Sequence, residues 1–125
     1  IDMDNFKLVN DQLGHPVGDK VLQDFSKLLE SFFNRNKDVV SRLGGDEFAV
    51  FIGRNITAAE ADAMLTKFMS IVHKNLEEKY PAQNLSASIG AAFVSRSASY
   101  SFLYQNADKA LYEAKRGGKN RFQFH

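Results

Sequence analysis

Apolar residues recur along the chain at two periods, and the changes of period outline its elements. Val21, Leu22, Phe25, Leu28, Leu29, Phe32 and Phe33 fall three or four apart, which predicts one apolar stripe on a helix over residues 18–34. A shorter helix is predicted over residues 5–13, ended by Gly14 and by Pro16, whose ring disfavours helix in the residue before it. Val39-Val40-Ser41-Arg42-Leu43 and Phe48-Ala49-Val50-Phe51-Ile52 are rich in β-branched and aromatic residues, and Gly44-Gly45 lies between them. That pattern predicts a β-hairpin. Thr57-Ala58-Ala59-Glu60 has the form of a capping box, and the helix it starts carries Ala61, Met64, Leu65, Phe68, Ile71, Val72 and Leu76 inward before Pro81. Residues 85–94 read as a strand interrupted by Gly90. Leu103, Ala107, Ala110, Leu111 and Ala114 mark a last helix ending at Gly117-Gly118, and residues 121–124 read as a closing edge strand.

Helices and strands therefore alternate around a mixed sheet, of class α/β or α+β. At roughly 150 residues per domain, the 125 residues make one domain spanning residues 1–125. Hydrophobic residues at 44% and charged residues at 25% are ordinary for a globular chain, and 11 Phe with no Trp make phenylalanine the bulky core material. Sixteen Lys and Arg against fifteen Asp and Glu leave a net charge of +1. No global field draws in nucleic acid or an anionic membrane, so neither is expected as a partner, and any anion site must be local.

The absence of cysteine excludes a disulfide scaffold, a thiolate zinc site and a cysteine nucleophile, and fits a reducing, cytoplasmic setting. His15, His73 and His125 show no ligand spacing. No apolar run approaches the roughly 20 residues of a membrane span, and no signal peptide opens the chain. Ile1-Asp2-Met3-Asp4 begins the sequence without an initiator Met, as though cut from inside something longer. Neither G-x-G-x-x-G nor G-x-x-x-x-G-K-[ST] occurs, and G-x-S-x-G is missing too.

The remaining chemistry is a set of acids at chain reversals, with cations near the end. Asp46 and Glu47 follow Gly44-Gly45, and Asp2 and Asp4 precede the first helix. Carboxylates at strand ends suit Mg²⁺, although Gly-Gly-Asp is also good turn chemistry by itself. Lys7, Asn10, Gly14, His15, Gly18 and Asp19 form a second group. An amide and a carboxylate together match the edge of guanine, while Asn10 and Asp19 also fit as a turn residue and a helix cap. Lys115, Arg116, Lys119 and Arg121 surround Gly117-Gly118, where they complement a helix C-terminus or hold phosphates. Arg35 and Asp38 have the spacing of a local surface pair, ordinarily worth little.

Several of these segments together resemble one family. Arg42-Leu43-Gly44-Gly45-Asp46-Glu47-Phe48 is similar to the signature of the GGDEF family, the diguanylate cyclases. Asp2-Met3-Asp4-x-Phe6-Lys7 resembles that family's first metal-binding segment. Val9-Asn10-Asp11, Gly14-His15 and Gly18-Asp19 resemble its nucleotide-binding stretch. Ser88-Ile89-Gly90 matches its late strand, and Ala107-Asp108 through Lys115 with Gly118-Lys119-Asn120 matches its last helix and exit. The resemblance runs in order from residue 1 to about residue 122.

The resemblance implies a central mixed sheet wrapped by helices, similar to nucleotidyl cyclases and polymerase palm domains. It implies condensation of two GTP into cyclic di-GMP with release of two pyrophosphates, each domain holding one GTP and two domains facing each other as a homodimer. Asp2, the Met3 carbonyl, Asp46 and Glu47 would hold Mg²⁺ (or Mn²⁺). Asn10, Asp19 and His15 would meet guanine, Lys7 would stabilise charge on the phosphates, and Lys115 and Lys119 would hold the β- and γ-phosphates. Asp46 or Glu47 is the implied proton acceptor. Arg35 and Asp38 match the family's R-x-x-D inhibitory site, where product binds. The alternative is a degenerate module that binds GTP or cyclic di-GMP to regulate a fused partner.

A fused sensor domain is implied outside this chain, which could be the cytoplasmic part of a larger membrane-attached protein. Two departures stand out. Lys119 occupies a position the family usually fills with Arg, which loses the bidentate fork. The family's first helix and the central strand leading into Asp2 are expected to be missing, leaving unpaired sheet edges.

Overall fold

The computed structural model describes residues 1–94 and 97–125. Along the chain lie β1 (Asp2–Asp4), α1 (Phe6–Leu13), α2 (His15–Phe32), β2 (Asp38–Gly44), β3 (Glu47–Ile52), α3 (Ala58–Val72), β4 (Ser86–Ala91), α4 (Tyr100–Arg116) and β5 (Phe122–Phe124). The sheet has five strands in the order β2-β3-β1-β4-β5. β1 runs antiparallel to both neighbours, β2 and β3 form the hairpin, and β4 and β5 are parallel. This is the mixed, helix-wrapped sheet expected of the α+β class.

Strand alternation decides what each face carries. Met3, Phe48, Val50, Ala87 and Ile89 point to the face covered by α2 and α3, in one cluster with Val9, Val21, Phe25, Leu29, Leu65, Phe68 and Val72. Phe25 meets Phe48 edge-on at 5.1 Å, and Phe68 packs against Phe32 and Phe33 at 5.0 and 5.1 Å. The odd-and-even rule then sends Asp2, Asp4, Ser86, Ser88 and Gly90 to the opposite face, where α4 lies against β4 and β5. A Cβ at Gly90 would sit 2.1 Å from the Ala107 carbonyl and 2.2 Å from the Leu111 amide nitrogen, so α4 rests there directly on the strand backbone.

Several element boundaries differ from the sequence reading. Residues 2–4 form a strand in the middle of the sheet; three polar-apolar residues are too few to show a period. Its register covers three residues of β4 but only Glu47 of β3. Helix α2 begins at His15 rather than near residue 18, because Pro16 lies in its first turn, where a missing N–H costs nothing. The two first helices are thus separated only by Gly14, at φ +90°. The capping box at Thr57 is present with both of its hydrogen bonds, and α3 continues beyond Val72 as one wide turn over His73–Glu77. β4 stops at Ala91, three residues early, and α4 starts at Tyr100, where Ser99 accepts from the Phe102 N–H at 3.2 Å.

Candidate active site

Asp2 of β1 is the register partner of Glu47 at the start of β3, and the Met3 N–H donates to the Asp46 carbonyl at 3.2 Å. The central strand and the hairpin turn are thereby locked together, and Asp2, Asp46 and Glu47 share one end of the sheet. Gly45 makes the turn possible: its φ of +54° is left-handed, and open space surrounds its missing Cβ. Conformation rather than room calls for glycine there. Arg42 Nε donates to the Gly45 carbonyl at 2.9 Å and closes the turn.

Asp46 is half-buried, and its pKa is raised, first by burial and then by the charge of Asp2. From the other side, Lys115 in the last turn of α4 donates to Asp2 in a close ion pair. Burial opposes the charge on Lys115. The hydrogen bond and charge of Asp2, with Asp4 and Asp46 behind it, outweigh burial and raise its pKa. Lys115, expected at the phosphates, stands here beside a candidate metal ligand.

The donors at this end are all hard oxygens: three carboxylates and the Met3 carbonyl. Among the described residues no group of three acidic or imidazole side chains forms a ready-made metal cage. An all-oxygen donor set suits Mg²⁺, which takes one or two carboxylates and completes its shell with water and substrate phosphates. Two carboxylates close enough for one to raise the other's pKa are the kind of pair a dication relieves.

The remaining nucleotide candidates lie on the α1–α2 pair. A Cβ at Gly18 would fall 1.9 Å from Asn10 Oδ1 and 3.3 Å from the Phe6 ring, so the Asn10 side chain sits directly over Gly18, the residue before Asp19. Asn10 thus lies where the two helices touch, and Asp19 is exposed at the next position of α2. His15 is exposed at the start of α2, and Lys7 is exposed in the first turn of α1. Lys119 follows α4 in a left-handed conformation, φ +63°, and its Nζ donates to Asn5 Oδ1 at 3.2 Å. Asp4 shares the face of Asp2, but its carboxylate accepts from Ser86, Ser88 and the Asn120 N–H.

Arg35 and Asp38 lie apart from this cluster. Asp38 opens β2, six strand steps from the glycines, about 20 Å at roughly 3.3 Å per residue. The local ion pair suggested by their spacing is replaced by something else: Arg35 gives Asp38 only its backbone N–H, at 3.2 Å, and the cation facing Asp38 is Arg54, at 3.4 Å. The Asp38 side chain is 1% exposed. A groove of about 570 Å³ opens beside the pair, lined among others by Arg35, Arg54, Glu60, Met64 and Lys67. Sequence reading missed Arg54, yet the hairpin register contains it: Asp38 pairs with Ile52, which returns residue 54 to the start of β2. Asn5, the acceptor of Lys119, was missed as well, because its contacts reach 79 and 114 residues along the chain.

Comparison with known proteins places this geometry. The family model "Diguanylate cyclase, GGDEF domain" matches residues 1–121. Diguanylate cyclase DgcS of Shewanella oneidensis is 37% identical over 123 residues, 98% of this chain and 40% of that protein. The active GGEEF domain of a diguanylate cyclase from Vibrio cholerae superposes with a TM-score of 0.81 at 31% identity, covering 98% of this chain and 78% of that one. The GGDEF domain of DgcB from Caulobacter crescentus, solved in complex with c-di-GMP, gives a TM-score of 0.84 at 28% identity over 98% and 73% of the two chains. The chain spans two fifths of the length of the Shewanella relative, and 33% of diguanylate cyclase A from Treponema denticola.

Proposed function

The chain belongs to the GGDEF family of diguanylate cyclase domains, and we propose that it condenses two GTP molecules into cyclic di-GMP with release of two pyrophosphates. The observation that carries this reading is the meeting of Asp2, Asp46 and Glu47 at one end of the central strands, with Lys115 against them. Asn10 and Asp19 bind the guanine edge, the amide meeting its acceptors and the carboxylate its N1 and N2 donors. His15 lies at the same helix start. Lys7, Lys115 and Lys119 bind the triphosphate, and Lys115 exchanges Asp2 for phosphate oxygens as substrate enters.

In the reaction, the 3′-oxygen of one GTP forms a bond to the α-phosphorus of the other, the bond to the β-phosphate oxygen breaks, and pyrophosphate leaves in line. The hydroxyl proton passes to Asp46 or Glu47. Mg²⁺ or Mn²⁺, held by Asp2, the Met3 carbonyl, Asp46 and Glu47, would lower the hydroxyl pKa and neutralise the leaving pyrophosphate. Each domain positions one GTP, so two copies must face each other, and a second bond in the opposite sense closes the ring.

Product acts back through Arg35 and Asp38 and the groove beside them, whose lining includes three cationic side chains suited to phosphate. The setting is cytoplasmic, where GTP is available, with a sensor domain fused elsewhere in the protein. Among the described residues no helix is long and apolar enough to cross a membrane.

Incubation with GTP and Mg²⁺, followed by chromatographic analysis of products, tests the activity. Cyclic di-GMP is expected from the wild type and not from Asp46→Ala. Equal products from both, or none from the wild type, would overturn the reading.

A further inference from the structure

Asp4 lies on the α4 face of β1, away from solvent. It is 3% exposed, and both carboxylate oxygens are occupied. Ser86 Oγ donates to Oδ2 at 2.8 Å, Ser88 Oγ donates to both oxygens at 2.9 Å, and the Asn120 N–H donates to Oδ2 at 3.0 Å. The two serines lie on β4 beside it and would be satisfied by a smaller acceptor. The Asn120 contact is different, because it crosses 116 residues to the turn that leaves α4.

That turn holds an unusual backbone. Lys119 and Asn120 are consecutive left-handed residues, φ +63° and +48°, and neither is glycine. A left-handed conformation is strained for an L-residue, and Lys has none of the local hydrogen bonding that makes it tolerable for Asn. Something outside the turn must hold it. Three contacts do so: the Lys119 N–H donates to the Ala114 carbonyl at 3.1 Å, the Asn120 N–H to Asp4, and Lys119 Nζ to Asn5 Oδ1. Asn5 is itself left-handed, φ +61°, and its Nδ2 donates to the Asn84 carbonyl at 2.8 Å. Asp4 and Asn5 are consecutive, so the exit of β1 grips the exit of α4 through a carboxylate on the backbone and an amide on the side chain.

We propose that Asp4, with Asn5 beside it, is a positioning residue for triphosphate binding: its carboxylate fixes the α4–β5 turn in the conformation that presents Lys119 to the phosphates. This rests on the cyclase reading, in which Lys119 meets the β- and γ-phosphates. It divides labour between neighbours on one strand, Asp2 serving the metal side and Asp4 the cation side.

A double-mutant cycle of Asp4→Asn and Lys119→Met tests it, with GTP and GMP affinities measured by calorimetry in the presence of Mg²⁺. Asp4→Asn replaces a two-oxygen acceptor with an amide that cannot serve all its donors. It is expected to weaken GTP binding about tenfold, the size of one charge-assisted contact, while leaving GMP binding unchanged. Lys119→Met should do the same, and the double variant should lose no more than Lys119→Met alone. Thr57→Ala, remote in the α3 cap, lowers stability without moving the GTP-to-GMP ratio and marks what a merely structural loss looks like. Additive losses, or an unchanged ratio in Asp4→Asn, would overturn the positioning role alone. A wild type that binds GTP no tighter than GMP would instead strike down the cyclase reading. Should Asp4→Asn fail to fold, two further measurements decide. Asn5→Ala is expected to lower GTP affinity selectively, and the Asn120 amide of the wild type is expected to exchange slowly with solvent. Rapid exchange of that amide, or an unchanged ratio in Asn5→Ala, overturns the proposal.

Discussion

Replacing Gly90 by Ala should do more damage than any other single methyl on the sheet. The added Cβ would stand 2.1 Å from the Ala107 carbonyl oxygen, 2.2 Å from the Leu111 nitrogen and 2.8 Å from the Leu111 Cα, all backbone atoms of α4. Ordinary contact begins near 3.4 Å, so helix and strand must part by more than 1 Å. No rotamer relieves this, since the obstacle is not a side chain. Overpacking a tight core costs about 1–3 kcal/mol where side chains can give way, and a backbone clash belongs at the upper end, about 3 kcal/mol. In a domain of this size that lowers Tm by roughly 10 °C. Function should suffer further, because α4 carries Lys115 to Asp2, and a displacement of 1 Å near reacting groups can cost on the order of a hundredfold in rate. Denaturant melts of wild type and Gly90→Ala, with GTP affinity measured alongside, check both halves. The backbone origin is checked by Gly90→Ala/Leu111→Ala, in which trimming the neighbouring side chain should rescue nothing. A stability loss below about 1 kcal/mol, or rescue by Leu111→Ala, would refute the close seating of α4 on β4.

The same logic gives another answer at Gly18, where the obstacle is the end of the Asn10 side chain. Gly18→Ala gains about 1 kcal/mol of helix propensity and spends it on driving Asn10 aside, so stability should barely change while GTP affinity falls. In an Asn10→Ala background the gain should appear in full, and additivity of the two substitutions in a denaturant melt would contradict the contact. Thr57→Ala should cost about 1 kcal/mol through loss of the α3 cap. Its partner Glu60 has a pKa lowered below 4.5 by the Thr57 N–H and hydroxyl, so its contribution is complete above 4.5 and fades as pH falls through the folded value. Melts of Glu60→Gln and wild type should therefore converge in acid and separate toward neutrality. Arg54→Ala should destabilise by about 2 kcal/mol, because it leaves the buried Asp38 carboxylate without its cation, and Asp38→Asn in that background should recover much of the loss.

The sequence pattern was most informative where one period persists. The stripe of α2, the hairpin and the α3 capping box all appear where their residues place them, and the sheet is of the mixed kind the element order called for. It was least informative at β1. Three residues carry no period, and their place between β3 and β4 follows from pairing across more than 40 and 80 residues. Resemblance named candidate acids and cations segment by segment, but the partners that set their environment were hidden. Arg54 at Asp38, Asn5 at Lys119 and Asn120 at Asp4 are non-local or conformational facts. The lone signal that points to one of them is hairpin register, which is arithmetic once the turn is known.

Asp2 and Asp4 show why residue type alone does not assign a role. Both are aspartates on β1, both point to the α4 face, and both are buried. What separates them is the supply of donors. Around Asp4 there are two buried hydroxyls on β4 and a backbone N–H in the turn between α4 and β5, so its oxygens are fully used by neutral groups. Around Asp2 there is Lys115, a long flexible cation, and beyond it Asp46, a second carboxylate whose charge is unfavourable there. A carboxylate held by neutral, immobile donors is part of the scaffold, because removing it strands two buried hydroxyls and a backbone N–H. One held by a single mobile cation beside a like charge can change partners at little cost, which is what the proposed binding of a metal and a triphosphate asks of it. The strand's alternation puts both acids on the working face; the neighbours on β4 and α4 then decide which stays fixed and which can be exchanged.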